Sequence, residues 1–238
     1  MRDGSLSYEA FCAEAELLQQ RSHELASRQR VGRDKCVATW DWKHGNRQHL
    51  DGNSYLISTE NVRQLPFDID LNTLTAPDIV EAQHDGVGKF LRLCLASKFL
   101  QIHVEEVQKT VHQSGKGRLV LFEFHIVYHT IYQTPVLYFR ALAEDGTPLS
   151  FNCVTNDVLF PGSDEQSTFV AMDMHPVLDE PFAFLHPCET APVMQLLQAQ
   201  FKDLSSLRNC NVPHYLASWL SLVHPLTGIS PLDYYFRQ

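Results

Sequence analysis

Leu119-Val120-Leu121-Phe122-Glu123-Phe124-His125-Ile126-Val127-Tyr128 places Val120, Phe122, Phe124, Ile126 and Tyr128 at alternate positions. A period of two is the repeat of a half-buried strand, with those five side chains on one face. Gln133-Thr134-Pro135 breaks the run, Val136-Leu137-Tyr138-Phe139-Arg140-Ala141 resumes it, and Glu144-Asp145-Gly146-Thr147-Pro148 closes it with a turn. Two strands joined by so short a link predict an antiparallel hairpin or meander.

C-terminal to this pair, Pro181-Phe182-Ala183-Phe184-Leu185 reads as a short apolar strand running into His186-Pro187-Cys188. Glu189 to Phe201, with proline in its first turn, and Pro213 to Val223, with Tyr215, Leu216, Trp219, Leu220 and Val223 along one stripe, read as helices. On the N-terminal side, residues 5–30 form an amphipathic pattern with Phe11, Ala15, Leu18 and Leu25 on one face. Cys36 to Lys43 turns strand-like, and Trp40 and Trp42 share one face as core anchors. A short strand follows at Tyr55 to Thr59. Residues 66–116 carry Asp68, Asp70 and Asp78 among turn formers and read as an insertion between strands. A helix, a meander of strands and then more helices make the fold class α+β.

The chain has 238 residues, 44% of them apolar and 20% charged, which is globular composition and excludes a disordered or fibrous chain. Its formal charge of −9, without a basic run, argues against nucleic acid as a partner. Met1 to Ser5 leads into a polar helix and not into an apolar signal core. The apolar stretch Phe90 to Val104 is interrupted by Arg92, Lys98, Gln101 and His103, so no transmembrane segment is expected. The six cysteines, at 12, 36, 94, 153, 188 and 210, contain no CxxC pair. Such spacing suggests reduced thiols in a cytoplasmic protein.

Two motifs fail. Gly86-Val87-Gly88-Lys89-Phe90 resembles half a phosphate loop, but Gln83 stands at the first glycine and Phe90 replaces the magnesium-binding hydroxyl. His125 and His129 suit a metal on a helix, yet on a strand they are roughly 13 Å apart, and no metal site or cofactor is expected.

His-Pro occurs at 175–176, 186–187 and 224–225, but only Pro187 is followed by cysteine. Proline fixes its own φ and pushes His186 toward an extended conformation, so the strand ends in a stiff elbow. Cys188 then lies at the mouth of a helix whose amides, with a nearby histidine, are expected to raise its thiolate fraction. Chemistry alone leaves two readings open: a nucleophilic cysteine and a buried structural thiol.

The ordered blocks Tyr128 with Tyr132-Gln133-Thr134-Pro135-Val136-Leu137-Tyr138-Phe139-Arg140-Ala141, Asp145-Gly146, Pro181-Phe182 with Leu185-His186-Pro187-Cys188, and Tyr215 to Val223 with Pro225 and Gly228 resemble the autophagy-related protein ten family of ubiquitin-like-conjugating enzymes. Trp40-Asp41-Trp42 after the first helix is also similar to that family. The resemblance covers the N-terminal helix loosely and most of 118–228, and residues 66–116 have no counterpart in it. It implies a single domain over 1–238 with a ubiquitin-conjugating-enzyme-like core, an antiparallel sheet flanked by N-terminal and C-terminal helices. It implies that Cys188 takes the C-terminal glycine of a modifier, autophagy-related protein twelve, from the activating enzyme autophagy-related protein seven. The acyl group then passes to a lysine of autophagy-related protein five. His186 stands where some relatives carry asparagine, two residues before the cysteine, with an oxyanion-donating or a loop-setting role. The family's strand tyrosine corresponds to Tyr132.

Two other readings keep the same cysteine. One is a cysteine hydrolase pairing Cys188 with His129 or His175; the other is a catalytically inactive adaptor that only binds the modifier.

Overall fold

The structure is a computed structural model that describes residues 3–29, 37–47, 50–65, 118–151, 154, 170–208 and 214–235. Phe11, Ala15 and Leu18 fall at helical spacing and are fully buried, so α1 (Tyr8–Gln29) lies on the sheet by that stripe. Its polar residues then stitch down the next segment. Ser22 Oγ accepts the Trp40 N–H at 3.0 Å, and Gln19 Oε1 accepts the Trp42 N–H at 2.7 Å. Trp40 is fully buried and Trp42 packs against the core at its edge, as expected of the pair.

Among the described residues six strands form one antiparallel sheet: β1 (Asp41–His44), β2 (Ser54–Leu65), β3 (Arg118–His129), β4 (Thr134–Ala143), β5 (Val170–Met174) and β6 (Pro181–Leu185), in spatial order β1-β2-β3-β4-β6-β5. The β3–β4 hairpin pairs Val120 with Ala143 through to His129 with Thr134, as the alternation predicts. Val120, Phe122, Phe124, Ile126 and Tyr128 all face the main core with Leu137, Phe139 and Ala141.

β2 is longer than the five residues the sequence suggests. The register shifts between Ser58 and Asn61, where Glu60 takes a φ of 61°, and this bulge breaks the alternation that marks a strand. The Asn61 amide donates to Phe122 O at 3.2 Å across the gap. β2 and β3 are paired along their length, with Leu65 opposite Arg118. The expected insertion, 66–116, lies outside the described residues, as do Cys36, Cys94, Cys153 and Cys210.

The helices α2 (Thr190–Arg208), α3 (Tyr215–Thr227) and α4 (Leu232–Tyr235) follow the sheet. α3 runs past Pro225, where a proline in the last turn removes just one helical N–H. The helix ends at Gly228, whose φ of 67° suits glycine and lets its N–H return to His224 O. α4, which the sequence reading did not foresee, brings the Tyr234 hydroxyl to Ala38 O at 2.7 Å and accepts the Trp40 indole N–H at 3.3 Å. The α+β class and the helix-flanked antiparallel sheet therefore stand.

The sheet's other face carries a second, smaller core of Tyr55, Val127, Val136, Tyr138, Phe182 and Phe184. Polar groups are buried beside it. His175 Nδ1 accepts the Val177 and Leu178 amides, each at 3.2 Å, which leaves its proton on Nε2, 3.0 Å from His125 Nδ1. His125 Nε2–H then donates to Glu123 Oε1 at 2.7 Å, and Arg140 closes the chain on Glu123 Oε2 at 3.0 Å. Each ring nitrogen of the two histidines along this row has a partner, which is what makes burying two imidazoles tolerable.

Candidate active site

β6 is an interior strand. It pairs with β4 through Tyr138–Phe184 and Phe139–Ala183, and with β5 from Val170–Leu185 to Met174–Pro181. Phe182 to Leu185 are buried, so the residue that follows is delivered to a fixed place. His186 is extended there (φ −61°, ψ 127°), as the residue before a proline must be. Pro187 opens a single 3₁₀ turn, Pro187–Glu189, which flows into α2.

Cys188 sits in the middle of that turn, half-buried and free of any disulfide. Its backbone N–H donates to His186 Nδ1 at 3.2 Å, so the histidine caps the turn that carries the thiol. With Nδ1 accepting, a neutral His186 holds its proton on Nε2. The helix-mouth placement expected from the sequence is right to within one turn. The expected ease of ionisation is not. Burial pushes the Cys188 thiol up, and the neighbouring Glu189 carboxylate adds to this, outweighing the turn's own amides, which pull it down. Glu189 Oε2 is itself buried without a hydrogen-bond partner.

The tip of the β3–β4 hairpin comes alongside. The Tyr132 ring stands edge-on to His186, with centroids 5.8 Å apart at 75°. It also stands edge-on to His129, at 4.9 Å and 66°. The His129 Nδ1 accepts the Tyr132 N–H at 3.3 Å, while the Gln133 N–H returns to His129 O at 2.8 Å. Gln133 takes a φ of 51° to make that turn. The fold thus unites Cys188, His186 and Tyr132, and adds His129, which the sequence offers as a hydrolase partner and as half of a metal pair that fails on a strand. His175 is engaged by His125 in the buried row.

His129 also lines a polar cleft of about 700 Å³ together with Arg47, Asp51, Asp173 and Asp179. Burial holds the His129 pKa below the ordinary histidine value; His186 lowers it further and Asp173 opposes this. Among the described residues no group of three or more His, Cys, Asp or Glu side chains is arranged to hold a metal ion. No described helix is long and apolar enough to cross a membrane.

The N-terminal segment ties the β3–β4 hairpin tip to α2 and α3. Leu6 N–H reaches Gln133 O at 2.8 Å, Tyr128 Oη reaches Leu6 O at 2.8 Å, and Tyr215 Oη reaches Gly4 O at 2.7 Å. Gly4, at a φ of 77°, lies so close to α2 that a Cβ there would stand 1.9 Å from Ala191 O.

A helix-flanked antiparallel sheet that ends in a proline-stiffened cysteine turn defines a conjugating-enzyme-like α+β domain. The family described as "Autophagocytosis associated protein, active-site domain" matches residues 10–234, and the chain belongs to it. Relatives named "Ubiquitin-like-conjugating enzyme ATG10" are similar to it. The one from Dictyostelium discoideum is 35% identical over 124 residues, covering 48% of this chain and 54% of the relative. That from Homo sapiens is 33% identical over 160 residues, covering 63% and 69%. The Arabidopsis thaliana protein is 36% identical over 121 residues, covering 47% and 51%. The chain thus spans about half the length of the Dictyostelium and Arabidopsis relatives and 69% of the human one.

Proposed function

We propose that this chain is a ubiquitin-like-conjugating enzyme of autophagy that carries its modifier as a thioester on Cys188. The observation that carries the reading is the mounting of Cys188: a half-exposed thiol on a capped turn, held by an interior strand. The Cys188 thiolate attacks the thioester carbonyl that joins the modifier to the activating enzyme. A new C–S bond forms, the old one breaks, and the activating enzyme's thiolate leaves. A lysine amine of the acceptor then attacks the new thioester. The C–N bond forms, the Cys188 thiolate departs, and the amine's proton goes to solvent or a base. Burial and Glu189 keep most of the free Cys188 as thiol at neutral pH, while the thiolate that does form is the stronger nucleophile.

By family resemblance, the modifier is autophagy-related protein twelve, the activating enzyme autophagy-related protein seven and the acceptor autophagy-related protein five. The compartment is the cytoplasm, where such a thiol stays reduced. His186 and Tyr132 serve Cys188, with His186 shaping the turn through its Nδ1.

Charging with activating enzyme, ATP and modifier tests this. The wild type is expected to form an adduct cleaved by reductant, Cys188→Ser an oxygen ester that resists it, and Cys188→Ala neither. A reducible adduct on Cys188→Ala would overturn the assignment. Free cleaved modifier would favour a hydrolase, and modifier binding without any adduct an adaptor.

A further inference from the structure

We propose that His129 is a positioning residue of this site, whose neutral imidazole holds Tyr132 against His186 and thereby sets the neighbour of the Cys188 turn. The proposal rests on the conjugating reading above only for its kinetic consequence; its geometry stands on the chain alone.

Three contacts in series make the argument. His129 is the last residue of β3, paired with Thr134 across the hairpin, so its backbone is fixed by the ladder. The loop beyond it would leave the Tyr132 amide without a strand partner, and His129 Nδ1 takes that amide at 3.3 Å. The ring of Tyr132, 40% exposed and so unable to rely on burial to fix it, is thereby placed between the two histidines. His186 in turn holds the Cys188 amide. Remove the acceptor at Nδ1 and the tyrosine is free to leave His186, because an edge contact between exposed rings contributes only about 1 kcal/mol.

The device works in one protonation state. A protonated imidazole carries hydrogen on both nitrogens and has no lone pair for the Tyr132 N–H. The charged and titratable groups around His129 are His186 on the elbow, Asp173 on β5 and the ring of Tyr132, while Asp179 in the β5–β6 turn, Tyr128 on β3, Tyr138 on β4, and Arg47 and Asp51 from the β1–β2 loop line the same cleft. Burial and His186 together favour the neutral form over the pull of Asp173. Tyr132 is therefore held at neutral pH and released as pH falls through a value below 6.5.

Asparagine and leucine separate the roles, because asparagine Oδ1 occupies nearly the place of histidine Nδ1 and leucine offers no acceptor. The first readout is hydrogen exchange of the Tyr132 amide in the uncharged protein, which needs no modifier. Exchange is expected to be slow in wild type and His129→Asn, and at least about tenfold faster in His129→Leu. The second is single-turnover discharge of preformed Cys188 thioester onto free L-lysine. His129→Leu is expected to be slower by about tenfold and His129→Asn to be within about twofold of wild type; with rates divided by the fraction of unprotonated lysine amine at each pH, the acid limb that remains in the wild-type profile is expected to vanish in His129→Asn. On a Tyr132→Ala background, His129→Leu should have no further effect.

Unchanged amide exchange in His129→Leu overturns the proposal, and so does an equal slowing with Tyr132 already removed. If the wild type fails to charge, the conjugating reading fails, and amide exchange still decides the placement of Tyr132. If His129→Leu does not fold, the loss or survival of the acid limb in His129→Asn decides the same point.

Discussion

Glu14, in the middle of α1, accepts the backbone N–H of Leu216 at 2.6 Å, 202 positions along the chain, and that of Tyr215 at 3.0 Å. The residue before α3, His214, makes no side-chain cap of its own. One helix thus caps another, with a negative charge where the second helix's orphan amides and dipole call for one.

Glu14→Ala should accordingly lower unfolding free energy by about 1–2 kcal/mol, the usual cost of an N-cap. Glu14→Gln, which keeps one oxygen acceptor, should lose less. Urea titration decides this, with the midpoint moving and the slope unchanged; equal midpoints for Glu14→Ala and wild type would mean that water replaces the carboxylate fully.

At His186, alanine and asparagine should part company. Asparagine can still cap the turn and tolerates the extended backbone before Pro187, so His186→Asn should discharge like wild type. His186→Ala loses the acceptor for the Cys188 amide and should slow discharge about tenfold, less than the hundredfold or more expected of a lost oxyanion donor. Single-turnover discharge from preformed thioester measures it. A deficit of a hundredfold in both variants would assign the oxyanion role to the Nε2–H.

Acid should loosen the fold through His175. Burial first, then His125 and Arg140, press its pKa down to about 3, against Glu123, while an unfolded histidine stays near 6.5. A base depressed in the folded state adds stability that is complete above pH 6.5 and is lost as pH falls toward 3. The limiting slope is about 1.4 kcal/mol per pH unit for one proton. His175→Asn retains an acceptor for the Val177 and Leu178 amides but cannot titrate. Between pH 6.5 and 5, above the range where Glu123 protonates, its urea midpoint should fall less than that of the wild type. Parallel curves would remove His175 from the account.

Replacement of residues 66–116 tests the reading of that segment as accessory. Leu65 and Arg118 are opposite each other in the β2–β3 ladder, so a Gly/Ser link of about five residues can close the hairpin. Loop length costs little in entropy, and stability should change by no more than about 1 kcal/mol. Cooperative loss of folding would show that the segment carries core structure.

What could be read from the chain follows how local each cause is. The run Val120 to Tyr128 carries its own alternation, and Pro187 dictates the conformation of His186, so the hairpin and the cysteine elbow were legible. β2 reads as shorter than it is because Ser58 to Asn61 is polar and bulged, and the ladder resumes only at Asn61. β5 escaped because Met172 and Met174 are exposed on an edge strand whose sole described neighbour, β6, comes later in the chain. The buried polar row beside the second core is not legible because His125 and His175 are polar by composition and are buried through each other. The basicity of Cys188 was misjudged for the same reason: burial and the carboxylate of Glu189 belong to the folded surroundings, whereas the turn's amides can be inferred from sequence.

The strand order has a consequence for how the molecule assembles. β5 precedes β6 in the chain, yet β6 lies between β5 and β4. During synthesis, residues 170–174 therefore leave the ribosome before the strand that ties them to the sheet. The Glu14–Leu216 and Trp40–Tyr234 bonds cannot close until later still. Contacts so distant in sequence make for slow folding, in milliseconds to seconds, because loop entropy is lost before the contacts repay it. The Cys188 turn hangs from β6, the last of the described strands to be synthesised. A nascent or partly unfolded chain thus presents its thiol unmounted, and competence to accept an acyl group should report completed folding more sharply than any spectroscopic signal from the β3–β4 hairpin.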